Sequence, residues 1–434
     1  MKPFPESLDD LLARPFLTSP DWERFSSLVQ KRFEEIGPGE SVLCAEHDPV
    51  AAFSVMFATV LKKGGVFLVN PRWKENEWDQ LSELVSFHRI FGTESLAPDT
   101  SQAKHFDSAR IMISSGGTSG KVRFCVHSLA TLAAAVESLF RHHGERPLNS
   151  IGKLPIFHVS GLMPILRALL TEGIVQLCDW QALKAGSFPK QPGLPCFLSL
   201  VPTQLALLVK TEEGLKFLHR MDSIYVGGAG TPAGLVQLIR GEKLPVEFVY
   251  GMTETAAMVV YGTRGDTDES GTVWGQALPG VSLSLNEEQV ICIRSKSLFR
   301  GYFPEDAERS EYETDDIGRW VTDDLIEILG RRDFIINTGG EKVNPEEVEA
   351  SLASLLPGVA VAVGAKADAQ WGEAVVALVE SPLSREQVEQ LISKLSATLA
   401  PYKVPKEILT GVEVPRSSLG KVNRAAVRCY LSEK

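Results

Sequence analysis

No apolar stretch in this 434-residue sequence reaches the ~20 residues that a membrane-spanning helix needs. Residues 51–61 come nearest, and Lys62 and Lys63 end them. The start, Met1-Lys2-Pro3-Phe4-Pro5-Glu6, lacks the apolar core of a secretory signal, so export is not expected. The six cysteines (Cys44, Cys125, Cys178, Cys196, Cys292 and Cys429) form no CxxC pair and have no histidine at zinc spacing. That speaks against the common zinc frameworks and points to reduced thiols in a cytoplasmic protein. Positive charge is short as well, with 44 Lys and Arg against 55 Asp and Glu, a net charge of −11. Bulk attraction to nucleic acid or an anionic membrane is therefore not expected, although one pocket can still hold an anion. There is no internal repeat and no low-complexity tract.

The chain is long enough for two to four domains, each with its own core. Short apolar runs alternate with helical patterns. Residues 41–44, 65–70 and 111–114 read as buried strands, and 48–61 and 129–140 as helices, the second capped by Ser128. Runs at 175–178, 196–200, 223–226 and 247–250 continue the alternation, with a helix at 203–210, which predicts layered α/β structure. The rhythm changes after about Gly271. A hairpin around residues 286–288 and a strand at 325–329 make this stretch β-rich. Asn344 then reads as an N-cap, Pro345 as the first helical residue and Glu347 as the closing member of a capping box. Strands at 359–363 and 374–379 and a helix at 384–399 complete the pattern. The expected architecture is α/β: a large N-terminal domain, 1–330, of layered α/β structure with a β-rich end, and a small α+β C-terminal domain, 331–434.

The sharpest local signal is Ser114-Ser115-Gly116-Gly117-Thr118-Ser119-Gly120-Lys121-Val122-Arg123. Small residues let backbone approach a ligand, and successive N–H groups with hydroxyls can cradle phosphate. It is not a Walker A loop, because Ser115 stands where the first Gly belongs and Val122 follows the Lys. The alternating residues 122–126 read as a strand, so a phosphate loop between two strands is expected; taken alone, a plain flexible turn fits equally well. Gly227-Gly228-Ala229-Gly230 and Tyr250-Gly251-Met252-Thr253-Glu254 each follow a strand, where α/β sheets hold ligands. Glu254 can hold Mg²⁺ there or stand as a surface carboxylate. Thr314-Asp315-Asp316 offers acceptors for ribose hydroxyls. Pro415-Arg416-Ser417-Ser418-Leu419-Gly420-Lys421 places a lysine in a loop, where an ordinary lysine is a solvated charge.

Taken in order, these segments resemble the acyl-adenylate-forming (AMP-binding) superfamily from about residue 40 to the end. Residues 115–124 are similar to its phosphate loop TSGTTGKPKG, 250–254 to YGxTE, 314–318 to TGDxG and 330–333 to GRxD. Residues 337–349 are similar to GGExVxPxEVE and 415–421 to PRTxxGK. Departures are Gly116 for Ser, Val122 for Pro, Arg123 for Lys and Phe124 for Gly in the phosphate loop, and Asp315 for the Gly of TGD. Arg123 keeps the charge but spreads it over a planar fork. Within the superfamily, residues 154–162 and 199–205 most resemble the o-succinylbenzoate–CoA ligases of menaquinone biosynthesis.

The resemblance implies an ATP- and Mg²⁺-dependent ligase that activates a small-molecule carboxylate as acyl-AMP and passes it to CoA. It implies Lys421, Glu254 and His158 as catalytic residues, Glu254 also as the metal ligand, with a core histidine as the alternative for His158. Ser115, Thr118, Ser119, Gly120 and Arg123 would hold phosphates, and Gly117 and Thr253 would also belong to the nucleotide site. Gly228, Ala229, Tyr250 and Gly251 would line the adenine pocket, and Asp316 and Arg331 would bind ribose. Asp333 would be the hinge of a mobile C-terminal domain. Neither nucleic acid nor a membrane span is expected, and a homo-oligomer is allowed. Two other readings stand beside this one: a synthetase for another aryl or fatty acid, and an adenylate-binding protein without turnover, against which the retained Glu254, Asp316, Arg331 and Lys421 argue.

Overall fold

Val42, Val66, Leu68, Ile111 and Ile113 are buried on one face of a five-stranded sheet, and Leu43, Phe67, Met112 and Phe124 on the other. A strand enclosed on both faces is apolar at every position, which is why these runs do not alternate. The computed structural model describes residues 1–116, 121–228, 230–231, 233–263, 274–416 and 422–433. The order of this first sheet is Arg89–Phe91, Ser41–Cys44, Gly65–Leu68, Arg110–Gly116, Val122–Ser128. All neighbours are parallel except the last pair.

The second sheet has eleven strands. Val175–Leu177, Asn149–Gly152, Cys196–Leu200, Ser223–Gly227 and Val246–Met252 are parallel. Ala257–Thr263 then pairs antiparallel with Val246–Met252. Trp274–Ala277 joins it on one side and Ile326–Arg331 on the other. The β-rich end is thus an extension of the α/β sheet and not a unit apart, because strands far apart in sequence close one ladder. The expected hairpin is present, Val281–Leu285 against Val290–Ser295.

Pro49–Leu61 is buried on nearly every side. It begins where Asp48 accepts the Ala51 N–H at 2.8 Å, and it is apolar all round because it lies within a shared core with Leu129–His142 and Val159–Thr171. Each fully buried Phe, Val or Met there contributes about 1.5–3 kcal/mol. The far face of the second sheet is covered by Pro202–Leu208, Glu212–Leu218 and Ala233–Gly241.

The C-terminal part forms its own sheet around Gly372–Val379, which pairs with Val361–Asp368, Glu407–Thr410 and Ile336–Thr338. Helices Pro345–Leu355, Arg385–Thr398 and Arg424–Ser432 pack on it. Asn344 caps the first of these through the Glu346 N–H at 3.0 Å. Glu347 does not close a capping box: its carboxylate accepts two bonds from Lys403 Nζ, at 2.6 and 2.8 Å. A full ammonium is a stronger partner for a carboxylate than one backbone N–H. Among the described residues no helix is long and apolar enough to cross a membrane.

Candidate active site

Strands Arg110–Gly116 and Val122–Ser128 set Ser115 and Arg123 directly opposite one another. The connecting residues Gly117, Thr118, Ser119 and Gly120 lie outside the described residues, as do Ala229 and Lys421. The Ser115 hydroxyl oxygen is buried and has no hydrogen-bond partner among the described residues.

Two parallel strands of the second sheet, paired with one another, carry the glycine-rich and Glu254 segments, and the second leads to the turn that meets Ser115. Ser223–Gly227 runs into Gly228, whose φ of +81° favours glycine. Val246–Met252 carries a bulge between Tyr250 and Gly251. A Cβ at Gly251 would stand 1.9 Å from the Ala257 carbonyl oxygen, so backbone passes where a side chain cannot. The 3-10 turn Thr253–Thr255 follows and presents Glu254.

That turn is pinned on several sides. The Met252 N–H donates to Thr255 Oγ1 at 3.0 Å, and the Phe299 N–H to the Glu254 carbonyl at 2.8 Å. Buried His127 donates from Nε2 to the Thr253 carbonyl at 2.8 Å. Burial pushes that histidine down to about 4, so it stays neutral near neutral pH. Glu254 Oε1 accepts from the Tyr302 hydroxyl at 2.7 Å. The buried Cys125 thiol lies against both Glu254 and Ser115, and burial, then the Glu254 charge, push it well up. The thiol is therefore inert here. A carboxylate, an unpartnered hydroxyl and a nearby guanidinium converge, the donor set that a phosphate with a hard cation requires. The residues present fit Mg²⁺ with Glu254 as protein ligand.

Asp316 and Arg331 are direct neighbours across the ladder. Tyr250 donates to Asp316 Oδ2 at 2.6 Å. Burial holds the Asp316 carboxyl above its usual range, opposed by the Tyr250 bond and by Arg331. Arg331 reaches Asp333 with Nε at 2.8 Å and Asp315 with a second nitrogen at 3.0 Å. Burial works against its charge, yet these carboxylates hold its pKa above the usual range. Asp315, the departure from TGD, is thus a partner of Arg331. Tyr250, Asp316, Arg331 and Asp333 are brought together as one network.

His158 stands at the N-terminus of Val159–Thr171, with its ring 4.7 Å from that of Phe157. Two cations escaped the sequence reading. Lys153 lies just past the end of Asn149–Gly152, with Nζ donating to Gln204 Oε1 and lying 5.1 Å from the Trp180 ring centroid. Burial pushes it down to about 7. Arg167, within the apolar helix Val159–Thr171, is buried; its Nε has no hydrogen-bond partner among the described residues, and its guanidinium lies 5.9 Å from the Tyr225 ring. Burial pushes it down to about 10. A lone arginine in an apolar helical run was the signal that could have found it.

The family model described as AMP-binding enzyme matches residues 32–303, and that of the AMP-binding enzyme C-terminal domain matches 347–421. The chain belongs to the AMP-binding enzyme family. Among AMP-binding enzymes it is similar to 2-succinylbenzoate–CoA ligase of Lactococcus lactis, 26% identical over 96% of this chain and 97% of that one. It is also similar to indoleacetate–CoA ligase of Aromatoleum aromaticum, 28% identical over 73% and 66%. Among solved structures, o-succinylbenzoate CoA synthetase of Bacillus subtilis, in complex with its acyl-adenylate intermediate, superposes with a TM-score of 0.78. It is 20% identical, over 98% of each chain. ATP-bound MatB of Rhodopseudomonas palustris gives 0.75 at 22% identity, over 97% and 93%. These structural likenesses establish the shared fold.

Proposed function

We propose that this AMP-binding enzyme is an acid–CoA ligase that uses ATP, with o-succinylbenzoate as its acid, in the cytoplasm. A substrate carboxylate oxygen attacks the α-phosphorus of ATP and the bond to pyrophosphate breaks, leaving acyl-AMP. The CoA thiol then adds to the acyl carbonyl, loses its proton and expels AMP, leaving the thioester. Arg123, Ser115 and the loop 117–120 hold the β- and γ-phosphates, with Thr253 beside them. Glu254 holds Mg²⁺, which neutralises phosphate charge when bound. Gly228, Ala229, Tyr250 and Gly251 line the adenine pocket, and Asp316 and Arg331 take the ribose hydroxyls. His158 faces the reacting carboxylate. Lys421 stabilises the charge that builds up as pyrophosphate leaves. The domain boundary falls at 330/331, and the C-terminal domain turns about Asp333.

One observation carries the choice of acid: Lys153, half-buried, stands beside the acyl segments with no carboxylate opposing its loss of charge among the described residues. o-Succinylbenzoate has two carboxylates, and only one is activated; the other needs a cation. The full-length likeness to the Lactococcus ligase supports the same acid. The likeness to indoleacetate–CoA ligase supports an aryl monoacid as the second reading. Pyrophosphate release from ATP with a panel of acids, followed by thioester formation with CoA, tests both. o-Succinylbenzoate should give a higher kcat/KM than benzoate, indoleacetate or medium-chain fatty acids. A monoacid ahead of it would move the chain to the second reading, and no acid-dependent pyrophosphate at all would remove the ligase.

A further inference from the structure

The segment Phe299 to Phe303 comes from the β-rich part of the chain, yet it lies along the phosphate-side strand. The Arg300 N–H donates to the Val126 carbonyl at 2.7 Å, and the Phe303 N–H to the Phe124 carbonyl at 2.9 Å. Tyr302 itself bridges Cys125 through the backbone. Its ring is fixed edge-on to Phe299, with centroids 5.0 Å apart. One end of that side chain meets Glu254, through the 2.7 Å bond from its hydroxyl to Oε1. Its face meets Arg123, whose guanidinium carbon lies 4.9 Å from the ring centroid.

We propose that Tyr302 is a positioning residue, holding the Glu254 carboxylate and the Arg123 guanidinium in the geometry that receives Mg²⁺ and the ATP phosphates. The proposal rests on reading Glu254 and Arg123 as the metal and phosphate groups. A carboxylate on a freely rotating side chain spends little time in any one orientation. A hydroxyl bonded to one oxygen removes that freedom before the ligand arrives. A phenol at its ordinary pKa of about 10 is a donor throughout the working pH range. The ring face accounts for the Arg123 departure. A planar guanidinium stacks on an aromatic face where a compact ammonium is more strongly held by water. Arginine here gains a platform that fixes the direction of its fork, so the altered phosphate loop carries its own support.

ATP titrated calorimetrically in the absence of acid, in Mg²⁺ and in EDTA, separates the two contacts. Tyr302→Phe keeps the ring and loses the hydroxyl. It should weaken ATP binding about tenfold in Mg²⁺ and less than about twofold in EDTA, as loss of one bond to a charged group predicts. Tyr302→Leu loses the platform too and should weaken binding in both buffers. Glu254→Gln is the reference and should remove most of the Mg²⁺-dependent affinity. A Tyr302→Phe protein that binds like the wild type in Mg²⁺, or loses equally with and without it, overturns the positioning role while Glu254→Gln still shows the metal loss. If Glu254→Gln shows none either, the reading of Glu254 falls and the proposal falls with it.

Discussion

Strands Ser223–Gly227 and Val246–Met252 carry a polar cluster at each end, and the two clusters behave differently. At the starting end, Glu247 accepts from Ser223 at 2.5 Å and pairs with His142 Nε2 at 3.1 Å, while Tyr225 and His143 Nε2 meet at 2.5 Å. The donor atoms of His142, His143 and Glu247 lie within 4.8 Å of one another, close enough for a metal. Each is nevertheless already bonded, and this end is complete as it stands. At the other end Glu254 has Tyr302, while the Ser115 hydroxyl is buried without a hydrogen-bond partner among the described residues. Two glutamates seven residues apart thus have opposite meanings. A network that satisfies itself stabilises the fold, and one left incomplete at the end of parallel strands receives a ligand.

The strongest test of that contrast removes the positive charge proposed to act at the open end. Lys421→Ala should lower acyl-AMP formation at least about 100-fold, the scale of losing a transition-state charge contact. Thioester formation from supplied acyl-AMP should be largely spared, and near-normal adenylation would take Lys421 out of the mechanism. Exchanging the glutamates comes next. Glu254→Gln should reduce adenylation about 100-fold with little change in melting temperature. Glu247→Ala should leave adenylation within about twofold but destabilise the fold by about 2–3 kcal/mol, since His142 and Ser223 lose their acceptor. Equal activity losses in the two proteins would erase the distinction.

Smaller effects probe the acyl side and the junction. Lys153→Met should raise the KM for o-succinylbenzoate about tenfold and leave the KM for ATP unchanged, as steady-state kinetics would reveal. Asp333→Pro fixes φ near −65° and removes an N–H. It should slow thioester formation several-fold more than adenylation in single-turnover assays, and equal slowing would remove the hinge.

The smallest expected effect is on stability against pH. Burial depresses His127 and His143 to about 4 in the folded state. The unfolded chain protonates them near 6.5, so between about 6.5 and 4 it binds more protons than the folded one. Stability therefore falls as pH is lowered through that window, by at most about 3 kcal/mol for fully buried His127. Denaturant melts at pH 7 and pH 5 should show the loss, and His127→Gln should reduce it.

The sequence by itself determined the local elements and the order of the chemistry. Continuous apolar runs at 41–44 and 223–226 announced enclosed strands, Ser128 and Asn344 announced helix starts, and the alternating residues 122–126 announced the strand that follows Ser115. All of these depend on neighbours within a few positions. Tertiary structure alone decided that the β-rich end continues the large sheet, because the ladder between Trp274–Ala277 and Ile326–Arg331 pairs residues some fifty positions apart. It alone decided that Glu347 answers Lys403 and not its own helix start. It also placed Tyr302 under Arg123 and against Glu254, partners 179 and 48 residues away. Hydrogen bonds and ring contacts of that reach leave no periodicity in the chain, since they are set by which surfaces meet after the layers have packed.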